Sequence, residues 1–495
     1  MILPVFVIIP LGCAFLISLL GKKIKILPDL LANLGTFSLL IFSLFSIREV
    51  LAHKIITYNV GAWIPPIGIC MVLDGLTSFM LVTINLVSFF VTLYAIKYME
   101  RYTAKPKFYT LFMLMVAGMN GIIVTGDLFN LFVFLEIASI ASYALVAFGT
   151  GAEELEASFK YTVMGSVASS FILLGIALLY SYTSSLNMAD ISLTLSQKQN
   201  GLIVNLVAVM FLMGFGLKAS LVPFHAWLPD AHPSAPAPIS AMLSGVFIKT
   251  LGIYALVRVF FNILGVSSQM LFVLIVLGVI SMVVGAFLAI GQQDIKRMFA
   301  YSSISQIGFI IFALGIGSPL AILGGLFHLF NHAVFKSLLF LNSGAIEYSV
   351  QTRDLRKLGG LNSKLPVTGY TSLLGSMSIS GIPPLGGFFS KLIIIIAAVE
   401  ARYFGFALIA ILVSILTLAY YLKFQTFAFL GKLDIGWLRI KEVPGIMCLS
   451  MIALAVICVV SGLLIAPTFK PFLESATNVL LSGKGYAEIV FGAIK

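Results

Sequence analysis

Apolar residues in this chain do not alternate with polar ones; they come in blocks. Runs of about 20 residues with few charges follow one another from the first residues to about position 466. Short loops between them carry most of the lysine, arginine and proline. A bilayer core about 30 Å thick takes ~20 residues of helix to cross, and a helix satisfies its own backbone amides where no water is at hand. The pattern therefore predicts an all-α polytopic membrane protein with fourteen spans, at about 2–20, 27–47, 71–97, 107–125, 127–148, 157–181, 203–228, 236–262, 267–290, 295–316, 320–346, 366–401, 404–430 and 443–466. No stretch is long and polar enough for a separate soluble domain. A composition that is 60% hydrophobic and 10% charged excludes a water-soluble globule, which averages about 25% charged. It also excludes disorder, which needs low hydrophobicity.

Charge adds orientation. A net +11 would suggest nucleic acid in a soluble protein, but here the basic residues sit in loops between spans. Of the 30 Lys and Arg, 17 fall in one set of alternate loops: 22, 23, 25, 97, 101, 105, 107, 296, 297, 353, 356, 357, 364, 423, 432, 439 and 441. Eight (48, 54, 198, 258, 402, 470, 484 and 495) fall on the other side, and five lie within spans. The richer side is expected in the cytoplasm, with both termini outside and the chain in the cell membrane. The first run has no basic segment ahead of it; Lys22, Lys23 and Lys25 follow it. That order is wrong for a cleaved signal peptide, so a retained first span is expected. The four cysteines (Cys13, Cys70, Cys448 and Cys458) lie in or beside apolar runs, with no C-x-x-C. They read as small buried hydrophobes, not as a disulfide framework or a metal or cluster site.

The informative residues are the ionisable ones inside spans: Glu136, Lys218, Lys249, Lys336 and Lys391, with Lys160 nearer the start of its span, where it can snorkel. A charge at a span centre costs about 2.5–3.5 kcal/mol on insertion scales and faces a protein interior or a water-filled cavity. One Glu and four or five Lys cannot all pair off as helix-gluing ion pairs. A buried Lys whose acidic partner approaches and retreats is a proton switch. His328, His332 and Lys336 are spaced by four, so they share one helical face. The two histidines could pack passively or hold zinc, but no third ligand is at hand; a wire of titratable groups fits the spacing and chemistry best. His225 and His232 flank a broken region and are weaker candidates.

Helix breakers accompany two of these lysines. Pro223 follows Lys218, and Pro383 and Pro384, between Gly381 and Gly386-Gly387, precede Lys391. Proline removes an amide donor, so spans 7 and 12 are expected to be broken. Interrupted helices at corresponding places in two halves mark a transport site. A faint repeat agrees. DLFNLFVFLE starts at 127 and DIKRMFAYSS at 294, an offset of 294 − 127 = 167; FKYTVMGSVASSFILL at 159 and FHLFNHAVFKSLLFL at 327 give 327 − 159 = 168. Two inverted five-helix repeats follow, spans 4–8 and 9–13. The expected organisation is an N-terminal segment 1–106, a first repeat 107–262, a second 263–430, and a final helix and tail 431–495.

From about Leu73 to Leu430, LDGLTSFML, FLEIASIASYALVA, GLKASLVPFHAWLPDAHPSAPAPISAMLSG, QQDIKRMFAYSSISQIG and SGIPPLGGFFSK resemble the antiporter-like membrane subunits shared by respiratory complex I, Mrp-type multisubunit cation/proton antiporters and membrane-bound hydrogenases. The Mrp D subunit is the most similar type. The resemblance implies fourteen helices with inverted five-helix repeats, and a line of ionisable groups across mid-membrane joining a half-channel from each side. Glu136, Lys218, Lys249 and Lys391 match its key positions, and His328, His332 and Lys336 match its polar run. It implies other membrane subunits as partners, protons as cargo with sodium as the alternative, and no cofactor or redox centre on this chain.

The expected function is proton translocation within a larger assembly: Glu136 modulates Lys218, which passes its proton toward Lys249 and along the wire to Lys391. Two other classes compete. An inert platform anchoring a redox arm would do better with leucine at the buried lysines, and a membrane enzyme acting on lipid or quinone lacks any nucleophile–base pair, haem motif or nucleotide loop. Asp74 reads as an interfacial cap or a contact near the path, Glu153, Glu154 and Glu156 as a solvated loop, and Asp230 as a cap of a short half-helix. Tyr420, Tyr421 and Lys423 read as interface anchors.

Overall fold

The computed structural model describes residues 2–198, 201–433 and 435–494. Among them eleven helices are long and apolar enough to cross a membrane: Leu27–His53, Gly75–Arg101, Lys105–Val124, Leu128–Gly149, Ala152–Thr183, Ala237–Leu264, Ser268–Ile290, Ile295–Ile316, Pro319–Val350, Phe404–Ala428 and Gly445–Ile465. The other predicted segments give shorter pieces. Val5–Leu20 and Leu202–Lys218 are apolar helices of 16 and 17 residues, and 366–401 divides into Pro366–Ser380 and Gly386–Glu400.

Helices 237–264 and 319–350 are enclosed on every side. Around them stand helices with one buried face and one apolar face turned outward, through residues such as Phe15, Phe159, Phe287 and Leu408. A membrane removes the hydrophobic drive for helices to associate, so close packing and hydrogen bonds hold them, at about 0.6 kcal/mol per bond. Helices 27–53, 75–98 and 105–124 are joined in this way. Thr36 meets Thr92 at 2.9 Å, Ser46 meets Ser78 at 2.7 Å, and Asn85 donates to Ser43 Oγ and exchanges bonds with Asn120.

The expectation of an all-helical chain needs one amendment. Ile56–Asn59 and Cys70–Leu73 form a two-stranded antiparallel hairpin, Ile56 opposite Leu73; the polar, β-branched ITYN stretch is too short and too mixed to span. The tail carries two further helices, Lys470–Leu481 and Tyr486–Ile494. The first buries Leu473, Ala476 and Leu480, and its backbone at Ser475 comes so near Gly75 that a Cβ there would lie 2.4 Å from it.

One numerical relation runs through the chain. Asp127 caps its helix by accepting from the Asn130 amide at 2.7 Å, and Asp294 accepts from Arg297 at 2.9 Å. Asp127 bridges to Asn187 and Asp294 to Asp354, so both partners shift equally: 294 − 127 = 167 and 354 − 187 = 167. Helices 152–183 and 319–350 obey it at both ends, 319 − 152 = 167 and 350 − 183 = 167. The 168 suggested by aligning Phe159 with Phe327 is therefore one residue out of register.

Arg258, which sequence reasoning counts with the loop charges, is buried within helix 237–264. Its guanidinium forks onto Asp74, Nη1 to Oδ2 at 2.8 Å and Nη2 to Oδ1 at 2.9 Å. Asp74 also caps helix 75–98 by accepting from the Thr77 amide. Breaking a buried pair from one side leaves an uncompensated charge, at about 3–5 kcal/mol. Arg258→Leu is expected to lower the thermal midpoint of the detergent-solubilised protein steeply, and Asp74→Asn added to it to recover much of the loss. An unchanged midpoint in the single variant would contradict this role.

Candidate functional site

Glu136 sits on helix 128–146, half buried, and accepts a short hydrogen bond from Ser169 Oγ on helix 152–183. Lys218 is the last residue of helix 202–218. Its Nζ donates to Ser139 Oγ at 3.0 Å and to Tyr143 Oη at 3.3 Å. Those hydroxyls lie three and seven residues beyond Glu136, so the carboxylate and the ammonium address the same face of one helix. Hydroxyls, not the carboxylate, are the groups Lys218 bonds. The chain breaks just after it and resumes as helix at Leu228. Trp227 closes the gap: Nε1 donates to Leu217 O at 3.1 Å, and the indole stacks on Tyr161 at 4.3 Å. The Val222 amide, freed by the break, donates to Ser281 Oγ. His225 lies in the broken stretch, its Nδ1 without a partner among the described residues.

Lys249 is fully buried where helix 237–264 widens into π-helical turns, 243–247 and 249–254. The widened turns present the carbonyls of Ser244 and Gly245 to its Nζ, at 2.6 and 2.5 Å. Such turns occur frequently at functional sites.

His328, His332 and Lys336 do share one face of helix 319–350, all fully buried. His328 meets Ser390 Oγ through Nδ1 at 2.9 Å and Gln306 Oε1 through Nε2 at 3.2 Å. His332 stacks near it, ring centres 6.3 Å apart, and neither of its nitrogens has a partner among the described residues. Lys336 donates to Phe299 O at 2.7 Å and to Tyr421 Oη at 3.1 Å.

Lys391 stands in the second turn of helix 386–400. Its ammonium has no hydrogen-bond partner among the described residues; it lies 4.9 Å from the centre of the Phe309 ring and borders a cleft of about 250 Å³. Gly381 ends the preceding half-helix at φ +80°, a conformation glycine adopts without steric cost. Pro383 and Pro384 occupy the gap. Across the break Asn331 donates to Gly386 O and accepts from Ser461 Oγ.

The structure thus brings Ser390, next to Lys391 in the chain, onto the histidine run, and sets Glu136 and the hydroxyls of Lys218 on one helix face. Two secondary candidates stand elsewhere. Asp74 is committed to Arg258. Lys160 is half exposed and pairs with Glu156 at 2.7 Å and Asp230 at 3.1 Å. Asp230, expected as a cap, makes no capping bond; it reaches Arg297 as well, at 3.5 Å, in a charged cleft of about 500 Å³ that also holds Glu153, Asp294 and Arg353.

Several residues escaped sequence reasoning. Lys296 is buried and pairs with Glu347 at 2.9 Å. Tyr420 and Tyr421, expected at the interface, are buried, and their hydroxyls meet Ser302 at 3.0 and 3.1 Å. The offset of 167 was the available signal: it sets Tyr254 against Tyr421 and Ser169 against Lys336.

Residues 125–417 match the family model described as NADH:quinone oxidoreductase/Mrp antiporter, TM, and 63–109 match the N-terminus of complex I chain 5. The chain is 33% identical to the D subunit of the Na(+)/H(+) antiporter of Alkalihalophilus pseudofirmus, over 96% of this chain and 97% of that one. It is 36% identical to the N subunit of the NADH-quinone oxidoreductase of Desulforudis audaxviator, over 82% and 84%. Among solved structures it superposes on a chain of the Mrp complex from a Dietzia species, with a TM-score of 0.90, 27% identity, and 99% and 98% of the two chains covered. A chain of an archaeal membrane-bound sulfane sulfur reductase gives 0.89 at 30% identity, over 98% and 99%. A model spanning more than half the chain and relatives aligned almost end to end place this polytopic protein in the NADH:quinone oxidoreductase/Mrp antiporter membrane-subunit family.

Proposed function

We propose that this chain is the proton-translocating, antiporter-like subunit of a multisubunit complex in the cell membrane, with other membrane subunits as partners. The observation that carries the reading is the set of buried ammonium groups. Lys218, Lys249, Lys336 and Lys391 face hydroxyls, backbone carbonyls or an aromatic ring, and among the described residues none of them has a carboxylate within ion-pair distance. Several kcal/mol of desolvation per ion make such groups costly as scaffolding and useful as carriers that gain and lose a proton. Glu136 modulates Lys218; the proton passes toward Lys249, along Lys336, His332 and His328, and leaves by Lys391.

The architecture that suits this path is fourteen spans, with Val5–Leu20 and the two broken segments counted as crossings, and two inverted five-helix repeats, spans 4–8 and 9–13. The common offset of 167 and the two breaks support it. Residues 1–106 precede the first repeat at 107–262, the second covers 263–430, and 431–495 close the chain. The basic loops, 353–364 among them, face the cytoplasm and both termini the opposite side.

Two outcomes follow. In the intact complex reconstituted in vesicles, Lys218→Ala and Glu136→Gln each lower proton transport at least about a hundredfold, with subunit composition unchanged; full transport by Lys218→Ala ends the reading. A single cysteine at Ser363, in a chain lacking its native cysteines, reacts with a membrane-impermeant thiol reagent from the cytoplasmic face, and one at Gly61 from the other; the reverse pattern overturns the orientation.

A further inference from the structure

A chain of polar side chains leaves the buried line at Lys336 and runs to the face that bears the 353–364 loop, away from Lys391. It begins at Tyr421, whose hydroxyl accepts from Lys336. One helical turn on, Gln425 Nε2 donates to Ser372 Oγ at 2.9 Å and Ser376 Oγ at 2.8 Å, both on half-helix 366–380. On the same half-helix Thr371 donates to Asn342 Oδ1 at 3.1 Å. At its first turn Thr368 donates to Glu442 Oε1 at 2.7 Å, and Glu442 is half exposed at the surface. Everything between Lys336 and Glu442 is buried.

Helix glue does not account for the donors left over. Ser372 and Ser376 accept from Gln425, and among the described residues their own hydroxyl hydrogens have no acceptor. Asn342 Nδ2, on the amide whose oxygen takes Thr371, is buried without a partner among the described residues. Three donors thus open within one stretch, and a buried polar site with two to four such groups and enough room can hold an ordered water. Hydroxyls and water both donate and accept, which is what a proton relay needs.

The offset of 167 sharpens the point. Tyr421 and Gln425 stand opposite Tyr254 and Arg258, since 421 − 254 = 167 and 425 − 258 = 167. In the first half that position carries a permanent cation locked onto Asp74. In the second it carries a neutral amide bound to hydroxyls. The same place holds a locked charge in one half and a neutral hydrogen-bonded side chain in the other.

We infer that the Gln425 ladder is a hydrated conduit between the Glu442 surface and Lys336, a route into the buried line separate from the Glu136–Lys218 end. The inference rests on the proton-translocation reading. Two measurements test it on the intact complex in vesicles. In a chain lacking its native cysteines, Ser376→Cys reacts with a small impermeant thiosulfonate at least about tenfold faster from the 353–364 face than from the other. Gln425→Leu lowers proton transport about tenfold or more, and isosteric Thr371→Val lowers it too, should Gln425→Leu fail to assemble. A Ser376→Cys that stays unlabelled from the 353–364 face, or full-rate transport by the assembled variants, overturns the conduit. Lys218→Ala vesicles run alongside keep the two claims apart: their full transport defeats the functional reading, whereas dead Lys218→Ala beside unaffected ladder variants defeats the conduit alone.

Discussion

An ammonium group inside a lipid-bounded protein is costly without polar company, and this chain gives Lys218, Lys249 and Lys336 neutral oxygen. That constraint organises the interior. Lys218 takes two hydroxyls from the helix that carries Glu136, Lys249 takes two carbonyls of its own helix, and Lys336 takes a carbonyl and a phenol. Each solution needs backbone that departs from a plain α-helix or a neighbour close enough to lend a group. The enclosed helices 237–264 and 319–350 meet both needs: one widens at Lys249, and the other is packed on every side. Ion pairs with carboxylates occur instead at the rim and ends, as at Asp74–Arg258, Lys296–Glu347 and Lys160–Asp230.

The two broken segments differ in chemistry. Lys218 ends its half-helix, where unpaired carbonyls give the partial negative charge that favours a cation. Lys391 comes early in its half-helix, near free amides, and its partner is the Phe309 ring. Ser169, bound to the acid, stands opposite Lys336, bound to none.

Most of the fold was legible because lipid imposes a simple code: apolar length, charge in loops, proline where a span breaks. The breaks at Pro223 and Pro383-Pro384 and the shared face of His328, His332 and Lys336 were read from spacing alone. What escaped reading depends on partners distant in sequence. Arg258 lies four residues from a predicted span end and reads as a loop charge until Asp74, 184 positions away, is seen to hold it. Tyr421 has the composition of an interfacial anchor, and only packing turns it inward. The π-helical turns around Lys249 leave no mark in hydropathy. The hairpin at 56–73 was missed because its strands are four residues each.

Proton transfer along this line requires that water reach the buried amines. An experimental map of the assembled complex, at a resolution that shows ordered water, tests this most directly. Solvent oxygens within hydrogen-bond distance of Lys391 Nζ and the His332 ring, linking them toward Lys249 and Lys336, are the result expected. Lys391 turned out toward lipid headgroups, with dry apolar contacts around His332, would contradict it.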